Sequence, residues 1–169
     1  GRVEQLPRVG SYFTRELDAA RTSVVVVKDK DGTVRAFHNI CRHRGNKLVW
    51  NDYPGVEVEG TCRQFTCKYH GWRYDLTGDL TFVQQEEEFF DLDKDANGLV
   101  PVHCEVWSGF VFVHLAREPQ QSLREFLGRE LGDSNAEIRR AAARGFGVIA
   151  GDADLPVLAR LAGDDDWTL

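Results

Sequence analysis

The chain contains no methionine and opens on Gly1, so it reads as a piece of a longer protein. It also lacks any apolar run near the roughly 20 residues that a spanning helix requires, and no basic-apolar-small segment marks a secretory signal. A membrane protein is therefore not expected, and the setting is read as cytoplasmic, which stays compatible with a targeting segment upstream. Charge of one sign is missing too: 21 Lys and Arg stand against 27 Asp and Glu, interleaved along the chain, for a net charge of −6. That balance excludes the basic footprint of a nucleic-acid binder or of a protein held on an anionic membrane. Cysteine is scarce, with only Cys41, Cys62, Cys67 and Cys104. The chain is neither short nor evidently secreted, so a disulfide framework is a poor reading.

What is present is a folded protein. Its 169 residues suffice for one real core and would crowd a second complete domain, and 10 Phe and 4 Trp supply apolar bulk. Residues 23–27 form a β-branched run, residues 28–32 supply a turn ending on Gly32, and residues 33–37 alternate again, which predicts a hairpin. A second hairpin is expected from the alternation at 72–75, the turn at 76–79 and the apolar stretch at 80–83. Residues 48–50 read as a short strand, 51–55 as a turn and 56–65 as a mixed extended segment. Acidic residues 84–95 read as a solvated loop pinned by Phe89 and Phe90, with an acidic docking surface as the functional alternative. The continuous apolar character of residues 99–115 suggests a strand covered on both faces.

The chemistry sits between residues 41 and 72. Cys41-Arg42-His43-Arg44-Gly45 and Cys67-Lys68-Tyr69-His70-Gly71-Trp72 each offer one thiolate and one imidazole, with a glycine that lets the backbone bend sharply. Four such donors suit a 2Fe-2S cluster, in which replacing two thiolates by two neutral imidazoles on one iron raises the reduction potential. Zinc competes for a set of two Cys and two His, although structural zinc sites usually pair like ligands in each knuckle.

These two loops, with Ala36-Phe37-His38-Asn39-Ile40 before the first and Arg73-Tyr74-Asp75-Leu76-Thr77-Gly78 after the second, resemble the Rieske domains of the oxygenase component (α subunit) of Rieske non-heme iron, aromatic-ring-hydroxylating oxygenases. The resemblance covers residues 8–118. It implies that Cys41 and Cys67 bind one iron and His43 and His70 the other. It implies a mainly β fold, a Rieske-type small β-sandwich with a cluster-binding lobe, over residues 1–120. It also implies an electron donor, a reductase or ferredoxin, and an acceptor, the mononuclear iron of a catalytic oxygenase domain or subunit, reached in the family across a subunit boundary. The stretch between His43 and Cys67 is longer than the family's usual gap, and residues 51–59 read as an excursion that leaves the site intact. Respiratory Rieske proteins add a disulfide between the loops; here neither loop has the extra cysteine, so a low-potential cluster is expected.

Arg42, Arg44 and Lys68 bring positive charge to the rim, either to guide an acidic redox partner or as ordinary solvated side chains. Trp72 and Tyr69 are expected to cover the loops, Cys62 and Cys104 to be small core residues, and His38, His103 and His114 to be satisfied strand histidines. No histidine follows His114, so no mononuclear iron site held by two His and a carboxylate is expected downstream in this chain. Residues 121–169 instead read as a short helical segment. Ser122 and Glu125 have capping-box spacing, and residues 136–158 resemble one HEAT-like repeat, which cannot bury its own apolar face. The leading expectation is a one-electron carrier in an aromatic-ring-hydroxylating oxygenase system; the alternative is an interaction module whose cluster is a redox sensor or structural staple.

Overall fold

The computed structural model describes residues 1–107, 109–123, 125 and 126. The helical and HEAT-like reading of the chain beyond Phe126 falls outside the described residues. Among those that are described, no helix is long and apolar enough to cross a membrane.

The architecture is mainly β. Strands β1 (Ser11–Leu17), β2 (Thr22–Lys28) and β3 (Val34–His38) form an antiparallel meander. Strand β4 (Glu59–Thr61) pairs with the far side of β1, while β8 (Pro101–Trp107) and β9 (Phe110–His114) extend the sheet beyond β3. The resulting six-stranded order is β4-β1-β2-β3-β8-β9. The N-terminal residues join its two edges: Arg2 bridges to Phe110 on β9, and the Gln5 amide donates to Glu59 on β4 at 3.1 Å. The expected sandwich of small sheets is thus one curled sheet whose ends are linked by the N-terminal segment. A separate three-stranded sheet of β5 (Phe65–Thr66), β6 (Arg73–Tyr74) and β7 (Leu80–Phe82) forms the lobe.

The β-branched run of β2 is central, and its alternation feeds two cores. Val24 and Val26 point into a cluster with Leu6, Phe13, Ala36, Val102 and Val111. Val25 and Val27 point the other way, into a cluster with Phe37, Leu48, Trp72, Tyr74, Leu76 and Leu80 that joins the sheet to the lobe. A period of two on a strand makes both faces of an all-apolar run useful only when both are covered. The lobe docks through Gly78, whose φ is +95° and where an added Cβ would meet the Phe37 ring. Only glycine allows that approach.

Several local expectations change. Residues 99–115 form a hairpin rather than one strand buried on both faces: Val102 and Val111 are buried, whereas Val106 is 48 % exposed. Val106 lies on β8 beyond the pairing with β3, which ends at Val102, so that end of the hairpin lacks a strand on its other side. Residues 48–50 form no strand, with bends at 48 and 49, because the Val49 N–H donates to the Asn39 side chain instead of to a ladder. In the acidic segment Phe89 packs on the lobe core but Phe90 is 99 % exposed, so one phenylalanine pins the loop and not two. The capping box forms as its spacing predicts, with the Ser122 N–H and hydroxyl donating to Glu125 at 2.7 and 2.8 Å and the Glu125 N–H donating back at 3.3 Å.

Candidate metal centre

Two turns of one design carry the four candidate ligands. In the first, the Cys41 N–H donates to the Asn46 carbonyl at 2.8 Å and the Gly45 N–H to the Cys41 carbonyl at 3.0 Å. In the second, the Cys67 N–H donates to the Trp72 carbonyl at 2.9 Å and the Gly71 N–H to the Cys67 carbonyl at 3.0 Å. Gly45 and Gly71 occupy the left-handed region, with φ of +69° and +72°, where a side chain would be strained. The turns match residue for residue, yet their histidines lie at different steps, His43 two after its cysteine and His70 three after.

The structure sets the four side chains in two like pairs. Cys41 and Cys67 are buried and their thiols interact with each other, while the half-buried rings of His43 and His70 stand 4.6 Å apart, edge to face. Sulfur therefore lies inside and imidazole at the rim. Burial raises the Cys41 thiol above its ordinary value; hydrogen bonds from the Tyr74 hydroxyl and the His43 backbone oppose that, and the neighbouring Cys67 adds to it. Burial also lowers His43, with help from the His70 and Arg44 charges, and favours the neutral imidazole that binds metal.

The residues fit a two-iron cluster on one observation of this structure. His43 Nδ1 is buried and has no hydrogen-bond partner, an arrangement that buried polar atoms rarely keep without a ligand. The like pairs, thiol with thiol and imidazole with imidazole, suit a 2Fe-2S cluster, which takes two donors on each iron.

The surroundings hold this geometry. The Arg42 N–H donates to the Tyr74 hydroxyl oxygen at 3.0 Å, leaving the Tyr74 O–H to face Cys41 Sγ at 3.2 Å. Trp72 is buried and stacks on His43, 4.8 Å between centroids and 6° between planes, and Phe89 meets both rings edge-on at 5.8 Å. Tyr69 departs from the expectation that it covers the site. Its ring lies against His70 at 3.8 Å but is 61 % exposed. Asn39, fully buried, closes the base of the first loop: its amide donates to Ser23 Oγ and the Val49 carbonyl at 3.1 and 2.8 Å and accepts from the Val49 N–H at 2.7 Å. The sequence assigns Tyr74 and Asn39 no role at the site and reads Phe89 only as a pin of the acidic loop, although the period-two series Trp72, Tyr74, Leu76, all buried, carries the signal for Tyr74.

The remaining candidates lie elsewhere. Arg42 and Arg44 are exposed. Cys62 and Cys104 are half-buried free thiols against the two cores, each pushed up to about 11, chiefly by burial. His38 pairs with Thr22, His103 with Glu105, and His114 accepts from the Ala116 N–H. A cavity of about 750 Å³ beside β8 and β9 is lined by His103, Glu105, Phe112, His114 and Phe126 among others, and no ligand-loop residue reaches it.

A curled antiparallel sheet bearing a small lobe with two Cys-His turns defines a class of iron-sulfur domain. Residues 1–102 match the Rieske [2Fe-2S] domain, and the chain belongs to that family. It is 38 % identical over 119 residues to the glycine betaine monooxygenase oxygenase subunit of Chromohalobacter salexigens, covering 70 % of this chain and 25 % of that protein. With the chloroplastic choline monooxygenase of Atriplex hortensis it shares 31 % identity over 160 residues, 95 % of this chain and 32 % of the relative. A naphthalene 1,2-dioxygenase structure superposes with a TM-score of 0.64 at 32 % identity, over 75 % of this chain and 27 % of the other. The chain thus spans about a quarter to a third of the length of these relatives. A Rieske domain implies a 2Fe-2S cluster, and the similarity is to the α subunits of Rieske oxygenases.

Proposed function

We propose that Cys41 and Cys67 hold one iron of a 2Fe-2S cluster and His43 and His70 the other. The chain then acts as a one-electron relay, from a reductase or ferredoxin to a mononuclear iron oxygenase site outside the described residues. The bound cluster supplies a reversible one-electron couple. The buried, unpartnered Nδ1 of His43, whose ring meets that of His70, is the observation that carries this reading.

The protein's own residues explain why the relay is directional in space. Burial of both cysteines keeps water from the sulfur side, and Trp72 and Phe89 shield one face of His43. Of the four proposed ligands only the imidazoles are half-buried rather than buried, so His43 and His70 are the ligands nearest to an approaching partner. Tyr69, exposed against His70, forms part of the surface such a partner would touch.

The purified chain should be rust-coloured, contain iron and acid-labile sulfide in equal amounts, and give a Rieske-type EPR signal when reduced. His70→Ala should abolish that signal. A colourless protein with stoichiometric zinc, or an unchanged signal in His70→Ala, would overturn the assignment.

A further inference from the structure

We infer that Lys68 is a positioning residue, a clasp that ties the second ligand loop to the chain leaving the first, where these loops carry no disulfide between them. The inference rests on the ligand assignment proposed above.

Lys68 directly follows Cys67, and Trp50 directly follows Val49, the residue held by Asn39 at the base of the first loop. The Lys68 ammonium donates to the Trp50 carbonyl at 2.7 Å and stands over the Trp50 ring, 4.4 Å from its centroid. One cation thus makes two contacts on one residue, a charge-assisted hydrogen bond and a cation–π contact. Among the described residues Lys68 makes no ion pair, so no carboxylate competes for it. Trp50 has no polar anchor of its own, since its Nε1 is buried without a hydrogen-bond partner. The lysine holds Trp50 through the ring face and the backbone carbonyl.

The loops also meet through the Trp72–His43 stack, the His43–His70 ring contact and the Cys41–Cys67 thiols, and the Tyr74 hydroxyl reaches the first loop from β6. All of these act at the inner and imidazole sides. Lys68 acts on the outer side, next to Cys67, and limits how far that cysteine can draw away from Cys41. Loops free to separate there would release bound iron.

A double-mutant cycle on the loaded chain tests this. Lys68→Met keeps the long stem but removes donor and charge; Trp50→Leu removes the aromatic face while retaining apolar bulk. Each should lose visible cluster absorbance to a chelator about tenfold faster than wild type, as expected for the loss of a contact of this strength. The double variant should be no more than about twofold worse than either single one, because both remove the same clasp. Lys68→Arg, which retains charge, donors and ring contact, should restore retention. Wild-type retention in Lys68→Met, or multiplying effects in the double variant, would overturn the clasp. So would a Lys68→Met variant altered only in reduction potential with Trp50→Leu silent, since that pattern marks a charge effect alone. A wild-type chain that takes up no cluster overturns the proposed function and the clasp with it; a loaded wild type with indifferent variants overturns the clasp only.

Discussion

Tyr74 shows how much one hydroxyl does at this site. It is fully buried, and its oxygen accepts the Arg42 N–H while its proton faces Cys41 Sγ. Burial and the Cys41 contact raise its pKa, so it stays a neutral donor at physiological pH. Hydrogen bonds to sulfur ligands draw electron density away and raise the reduction potential. Tyr74→Phe keeps the ring and removes only that bond. The potential should fall by some tens of millivolts, and the lost bond to Arg42 should cost about 1–2 kcal/mol of stability. Protein-film voltammetry on the variant checks the first effect, and an unchanged potential with an intact cluster would show that the Sγ contact carries no charge stabilisation.

At the scale of the element, the first loop is held at its base by the Asn39 side chain together with one antiparallel bridge, Ile40 to Lys47. Asn39 serves three partners, Ser23 Oγ and both backbone groups of Val49, all in buried or half-buried surroundings. Ser23 passes the connection on to Glu16, which also pairs with Lys47. Asn39→Ala leaves those groups without partners and should destabilise the fold by about 2–4 kcal/mol in urea unfolding; a loss below about 0.5 kcal/mol would place the loop's rigidity elsewhere. This explains which parts of the fold were legible in the sequence. The hairpins at 23–37 and 72–83 and the two ligand turns are local, set by alternation and by glycines a few residues from what they serve. Strand β1 and its pairing with β4 were not read, because Ser11↔Thr61 and Phe13↔Glu59 join segments far apart in the chain. The apolar run at 99–115 misled for the same reason: composition records apolar character, but only the assembled sheet shows that β8 outruns its pairing with β3.

At the scale of the molecule, the described residues form two cores on the two faces of β2, and only one of them contains proposed ligands, the two cysteines. Cys41 and Cys67 belong to the core shared by sheet and lobe, whereas Leu6, Phe13, Val24, Val26 and Val111 pack on the opposite face with no ligand among them. A group that binds only the folded lobe stabilises it by mass action, and its removal withdraws that stabilisation where it is bound. Removing the cluster with a chelator under reducing conditions should therefore act unevenly. The loop amides of Cys41, Gly45, Cys67 and Gly71, whose bonds close the two turns, should exchange with deuterium more than about tenfold faster in the stripped protein. Amides in the β1–β2 and β2–β3 ladders, such as those of Val24 and Val26, should keep most of their protection, because the ligand-free core still covers that face. Equal loss of protection throughout would mean that sheet and lobe unfold as one unit. Unchanged protection in the loops would mean that Asn39, Tyr74 and the turn glycines preorganise the site fully without metal.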